Sequence, residues 1–321
     1  MKMAAAVGGF TVNEAITAGK LPAEMVDSIW SNVEYESAIL RVAGTTPVAI
    51  TGNVIPTVTG DIVAGIVGEG EAKPIVKAGL ELKTFKPVKA AAIMYWSREA
   101  RQANPANYLK EFESKMTQAI AKAVDMAVIH GKDALKNAQI TGVEYLAQST
   151  TTMELGTNNA KSGGIGADII DGYSKVVELA DQNYDFTGFL ADQRMKPKLM
   201  GAVDLQGRPL FQTSLDLSAK MDNLAGLPTT YTRAVSGKIG AVADTKTRLV
   251  GGDFANIKVG FVNDITIRQT DTATLVDGDK TVPLWQQNME AYLIEAQFAW
   301  VIRDVNAFCV YTDKVPDVKP Q

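Results

Sequence analysis

Val67-Gly68-Glu69-Gly70-Glu71-Ala72-Lys73-Pro74, VGEGEAKP, sets two glycines, three charged residues and a proline just after an apolar run. A phosphate-binding loop needs Gly-x-x-x-x-Gly-Lys-Ser/Thr ahead of a helix, so that backbone amides and a lysine converge on the anion. Here Glu69 and Glu71 stand where the anion would sit, and Pro74 removes a donor. A dinucleotide fingerprint would need glycine at position 73, which is lysine, and a strand-loop-helix unit around it. The stretch therefore reads as a bend rather than a cradle.

Working outward, Val48 to Val88 is rich in Val, Ile, Thr, Gly and Pro, and Leu80, Leu82 and Thr84 alternate with Glu81, Lys83 and Phe85. This predicts a long β-hairpin of half-exposed strands with polar faces. A two-stranded ribbon is marginal in water unless something covers it, so another subunit is the expected cover. Upstream, Pro22 suits a first helical turn and predicts a helix through Trp30 towards Leu40. Downstream, Asn104-Pro105 supplies a cap and first-turn proline for a helix running to His130 before Gly131. Its apolar rows are Leu109, Phe112, Met116, Ala119, Ala123 and Ala127, joined later by Ile120, Val124 and Val128.

From about Ile165 to Trp285 helices and strands mix. Ile169, Ile170, Tyr173, Val176, Val177 and Ala180 suggest one helical face, Gly188 to Ala191 a buried strand, and Asp192 a cap for a helix ending near Val203. Gly207, Gly226 and Gly251-Gly252 read as turns, Asp264 to Gln269 as a strand and Asp277-Gly278 as a hairpin turn. In Glu290 to Asp313, Tyr292, Ile294, Ala296, Phe298, Trp300 and Ile302 recur at every second position, the pattern of a long strand burying an aromatic face. A further strand is expected over Ala307 to Tyr311, with the C-terminal strands packing under the Pro105 helix. The fold class is α+β.

The chemistry available is narrow. One cysteine, Cys309, excludes an intrachain disulfide and a multi-cysteine zinc site, and one histidine, His130, excludes a histidine cluster. Cys309 reads as a small buried hydrophobe and His130 as a residue favouring the helix C-terminal dipole. No Gly-x-Ser-x-Gly elbow occurs, and Asp277-Gly278-Asp279 lacks the rest of a calcium loop. With 32 Lys and Arg against 36 Asp and Glu, the net charge of −4 does not suit a protein that neutralises many phosphates. Lys73, Lys77, Lys83, Lys86 and Lys89 form the one candidate basic stripe, but Glu69, Glu71 and Glu81 lie among them. The first ten residues lack a signal-like apolar core, and the longest apolar run, Ala90 to Trp96, is far below a membrane span. The expectation is a soluble protein made in a reducing cytoplasm, with no cofactor, metal or membrane partner and no enzymatic constellation.

Several stretches together resemble the major capsid proteins of tailed bacteriophages, the Hong Kong 97-like fold. Leu21-Pro22-Ala23-Glu24 with Ser37, Ala38, Arg41 and Pro47 resembles the N-terminal arm. Ile55-Pro56 and VGEGEAKP, followed by Leu80, Phe85 and Lys89, resemble the extended hairpin called the E-loop. Ser97-Arg98-Glu99 and the helix through Asp125 to Gly131 resemble the spine helix of the peripheral domain. Leu199, Asp204, Gly207-Arg208-Pro209-Leu210, Leu224 to Pro228, and Gly252-Asp253-Phe254 with Gly260 resemble the axial domain. Leu284 to Met289, leading through Glu295 and Trp300 to Asp304 and Ala307-Phe308, resembles the closing strand of the peripheral domain.

The resemblance implies an arm over 1–47, an E-loop over 48–89, a peripheral domain over 90–160 and 286–321 with its spine helix at about 105–130, and an axial domain over 161–285. It further implies self-assembly through pentamers and hexamers into an icosahedral virion head around double-stranded DNA, held without sequence-specific contact. Implied partners are a portal, decoration proteins and a scaffolding protein; about twenty residues ahead of the arm motif leave no room for a fused scaffold, so a separate one, or none, is expected. Some relatives join subunits by a lysine-asparagine isopeptide bond, but no reacting pair matches here residue by residue. The hairpin residues Gly68, Glu69, Gly70, Glu71, Lys73 and Lys77 are the expected intersubunit contacts. The alternatives are an encapsulin-type nanocompartment shell of the same fold and, more remotely, a small-molecule enzyme with an α+β domain.

Overall fold

The computed structural model describes residues 37–50, 52–59, 64–69, 72–73, 75, 79–103, 108–158, 163–179, 184–203, 206, 208–211, 221–240 and 242–314. The helix expected from Pro22, the first turn expected at Pro105, and Asp204, Gly207 and Ala180 lie outside them. In chain order the elements begin with α1 (Ala38–Val42), β1 (Gly44–Thr45), β2 (Val54–Thr59), β3 (Gly79–Thr84), β4 (Val88–Ser97), α2 (Arg98–Ala103) and α3 (Tyr108–His130). Next come β5 (Thr152–Leu155), α4 (Gly164–Val177), β6 (Gly188–Ala191), α5 (Met195–Met200), β7 (Asn223–Leu224) and β8 (Leu227–Tyr231). The chain closes with β9 (Thr247–Gly252), β10 (Ile257–Thr270), β11 (Thr274–Asp277), β12 (Lys280–Pro283), β13 (Met289–Ile302) and β14 (Phe308–Asp313). Among the described residues no helix is long and apolar enough to cross a membrane.

The chain divides into two compact units, one holding 88–121 and 262–298, the other 37–87, 122–261 and 299 onward. In the first, β4 pairs antiparallel with β13 over ten residues, from Val88 opposite Phe298 to Ser97 opposite Met289, and β10 flanks β13 on its other side. The expected inward row of β13 is buried at Ile294, Ala296 and Phe298, and continues into the second unit at Trp300 and Ile302, but the alternation is broken because Ala291 and Ala299 on the other face are buried too. Tyr292 is half-buried and stacks on Trp96 with ring centroids 4.6 Å apart. Asp277 and Gly278 turn the β11–β12 hairpin as expected, Gly278 taking φ +60°. Val282, Leu284 and Ala291 form a small core with Tyr95 and Leu275 against them. Arg98 spans Glu290 at 3.2 Å and Asp271 at 3.0 Å.

In the second unit a six-stranded mixed sheet runs in the order β5-β14-β9-β6-β8-β7. Its core gathers Ile169, Val176, Phe189, Met195, Leu249 and Tyr311 among others. The buried strand expected at Gly188 to Ala191 is β6, buried at all four positions. The strand over Ala307 to Tyr311 forms as β14, which pairs with β9 and β5 and packs on α4. In the long helix, α3, every residue from Val124 to His130 is buried, whereas Ala119 is exposed and so leaves the expected apolar row. Gly131 ends the helix at φ +63°, where a Cβ would meet the Tyr145 ring at 2.5 Å.

Three expectations are corrected. The inward face of α4 is Asp168, Ile169, Gly172 and Val176, while Ile170, Tyr173 and Val177 are exposed. Asp168 is buried because its carboxylate accepts from the Gly156 and Asn158 amides at 2.7 and 2.9 Å, and Gly172 is required because the Tyr311 ring lies 2.5 Å from where a Cβ would be. Gly251-Gly252 is no turn but the buried end of β9. A Cβ on Gly251 would meet the Phe186 and Phe189 rings at 2.5 Å, and one on Gly252 would overlap the Ala307 carbonyl. Asp192 does not cap α5: it lies two residues before Arg194, which stands at the N-cap, and its side chain accepts from Arg194 N at 2.8 Å.

Candidate functional site

β2 and β3 pair antiparallel from Val54 opposite Thr84 to Thr59 opposite Gly79. The strands are not half-exposed as expected. Leu80 and Leu82 are 68% and 63% exposed, and beyond the strands Ile66 and Ile75 reach 105% and 90%. Among the described residues no second layer covers Leu80 and Leu82, which meet solvent. Gly68, Glu69 and Lys73 are exposed in the same segment, whereas Gly70, Glu71 and Lys77 lie outside the described residues.

The root of the hairpin is built differently. Phe85, just past β3, is 2% exposed, and its amide donates to the Asn53 carbonyl at 2.7 Å. Asn53 in turn braces the preceding turn, its side chain donating to Pro47 O at 3.0 Å and accepting from Ala49 N at 3.1 Å. Lys83 Nζ reaches Glu144 at 2.7 Å and Glu81 at 3.6 Å, and Lys86 Nζ donates to Thr141 O at 2.7 Å. Burial acts to lower the Lys83 pKa, but the Glu144 and Glu81 carboxylates outweigh it and hold the ammonium above its ordinary value. The Trp300 indole N–H donates to the Glu144 carbonyl at 2.7 Å, fixing the loop that receives the lysines. A cavity of about 400 Å³ lies between root and loop, lined by Thr84, Gly142, Gln148 and Ile302 among others.

These partners dissolve the basic stripe. Lys83 and Lys86 are engaged within the hairpin root, and Lys89 pairs with Glu295 at 2.6 Å, so the row presents no continuous phosphate-binding track. Glu144 and Thr141 carried no signal in the sequence; Glu144 lies 61 residues from Lys83, and no local pattern links them.

His130 and Cys309 are the chain's single histidine and single cysteine. His130 is buried with Nε2 2.9 and 3.0 Å from the Ala234 and Val235 carbonyls. Burial pushes its pKa down against the pull of those carbonyls, so the ring is neutral at pH 7 and ties the helix end to the 233–236 turn rather than answering the helix dipole with charge. Burial pushes the Cys309 thiol up to about 12, consistent with the small-hydrophobe reading. Arg194, Asp192, Asp244, Arg248, Asp313 and Lys198 form a closed ion-pair network beside β9 and β14. Burial acts to raise the Asp244 pKa, but hydrogen bonds from Arg248, the Lys246 amide and Arg194 outweigh it and hold the carboxyl well below its usual range. Among the described residues no group of three or more His, Cys, Asp or Glu could hold a metal ion.

A profile of the Phage capsid family matches residues 18–313. The chain is 32% identical over 307 residues to the "Probable major capsid protein gp17" of Mycobacterium phage L5, covering 92% of this chain and 90% of that one. It is 31% identical over 301 residues to the protein of the same description from Mycobacterium phage D29, covering 92% and 91%. A solved chain from Gordonia phage Cozz superposes with a TM-score of 0.79 at 31% identity, covering 93% of this chain and 94% of that one.

Proposed function

The chain belongs to the phage capsid family and has the Hong Kong 97-like fold, and from that premise we propose that it is the major capsid subunit of a tailed phage, assembling through hexamers and pentamers into an icosahedral head around double-stranded DNA. The observation that carries this reading is the hairpin: a two-stranded ribbon with Leu80, Leu82, Ile66 and Ile75 exposed is an incomplete structure in one chain and becomes complete when a second copy covers it. The contacts proposed are Gly68, Glu69, Gly70, Glu71, Lys73 and Lys77, with glutamates and lysines close enough to answer opposite charges on a neighbour.

In this reading residues 1–47 form an arm, 48–89 the E-loop, 90–160 and 286–321 a peripheral domain, and 161–285 an axial domain that gathers around the local symmetry axes. The role is structural, with no catalytic step. A separate scaffolding protein, a portal and decoration proteins are proposed partners, and synthesis in the host cytoplasm precedes incorporation into the virion. Expression of the full chain with and without the other head proteins, followed by electron microscopy, tests the reading. Closed shells of uniform diameter are expected; a chain that stays monomeric in every combination refutes it. Nucleic acid within heads from infected cells separates a genome container from an enzyme-filled compartment.

A further inference from the structure

The hairpin leaves its own subunit through contacts that are mostly polar. Among the described residues of 48–89, Phe85 and Val48 are the buried plugs. An open pocket of about 400 Å³ separates part of the root from the 142–148 loop. Lys83 to Glu144 at 2.7 Å and Lys86 to Thr141 O at 2.7 Å span that gap. The receiving loop is itself held by Trp300 through the Glu144 carbonyl. Leverage makes the angle of the hairpin matter. A six-residue strand is ~20 Å long, so a tilt of about 10° at the root moves its far end by about 3–4 Å, more than an intersubunit hydrogen bond tolerates.

We infer that the Lys83–Glu144 ion pair is a positioning latch, setting the angle at which the hairpin is presented to a second copy of this chain. Lys86 on Thr141 O is the second point of the same latch. Glu81, 3.6 Å from Lys83, competes for the ammonium from the hairpin side, so loss of Glu144 leaves Lys83 paired with its own strand and the hairpin untied from the loop. The inference rests on the hairpin's role as an intersubunit arm.

The test separates the two claims. Spin labels at Ala72→Cys and Lys136→Cys, both exposed positions, report the hairpin angle in the unassembled full-length chain, with Cys309 buried and unreactive. Lys83→Met and Glu144→Gln are each expected to broaden the distance distribution and shift it by several ångströms. Each should also slow shell assembly, followed by light scattering, by up to about fivefold, the ceiling for one partly exposed ion pair. The exchange Lys83→Glu with Glu144→Lys, in a Glu81→Gln background, should restore both readouts. An unchanged distance distribution in both single variants overturns the latch. A shifted distribution with unchanged assembly upholds the latch and overturns the hairpin's role between subunits.

Discussion

Replacing Asp125 by alanine should loosen α1 and the Ser37 cap from the long helix α3. The Asp125 carboxylate is fully buried in α3 and accepts from Ser37 Oγ at 2.5 Å, Ala38 N at 3.1 Å, Ile39 N at 3.2 Å and Thr232 Oγ1 at 3.5 Å. Two of these donors are first-turn amides of α1, which have no intrahelical acceptor. Ser37 also caps α1 by accepting from Leu40 N at 3.3 Å. A hydrogen bond to a charged acceptor contributes ~1.5–3 kcal/mol, and a buried donor left without a partner costs ~1–3 kcal/mol. Because Ala38 and Ile39 are buried, Asp125→Ala should cost about 3–5 kcal/mol. Asp125→Asn, which keeps one acceptor oxygen, should cost about 1–2 kcal/mol, and Ser37→Ala about 1 kcal/mol. Urea unfolding of the unassembled chain, followed by tryptophan fluorescence, reads this directly. At a slope of ~3 kcal/mol/M the alanine variant's midpoint falls by about 1–1.7 M. A midpoint within about 0.2 M of wild type, or asparagine falling as far as alanine, would refute the reasoning.

Acid should weaken the fold through His130, whose folded-state pKa is depressed by burial. The unfolded chain then binds the extra proton, so this contribution is intact above ~6.5 and is lost as pH falls from there through the folded pKa. His130→Gln, which keeps a donor for the 234–235 carbonyls, should flatten that limb in a thermal-melt series between pH 7.5 and 5. Gly252→Ala should destabilise the chain by about 2–4 kcal/mol because the added methyl overlaps the Ala307 carbonyl and Phe308. Gly278→Ala, at φ +60° in open space, should cost only ~1 kcal/mol; comparison of the two denaturation midpoints checks the order. Cys309, buried with its thiol pushed up to about 12, should resist a thiol-reactive probe in the native chain and react fully in urea, and fast native labelling would contradict its placement.

Much of the fold was legible where one pattern had one interpretation. The strand through Trp300 was plain because six apolar residues recur at strict period two, and β2–β3 because β-branched residues flank a bend that fits no ligand motif. The inward face of α4 was not, because two apolar stripes compete on the same helix. The correct one contains Asp168 and Gly172, which look wrong for a core until the 156–158 amides and the Tyr311 ring are known. Gly251-Gly252 misled for the same reason, since what excludes a side chain there comes from Phe186, Phe189, Ala307 and Phe308, distant in sequence. The paired strands of the hairpin were legible from composition alone. Its root was not, because Lys83 and Glu144 meet only through the tertiary fold.

The central claim is that this chain builds the head of a tailed phage. Protein mass spectrometry with electron cryomicroscopy of purified virions whose genome encodes it tests that claim most directly. The account predicts that this chain is the most abundant virion protein and that each shell position holds one copy, with its hairpin lying across a neighbouring subunit. Heads lacking the chain, or containing it only as a minor component, would contradict it.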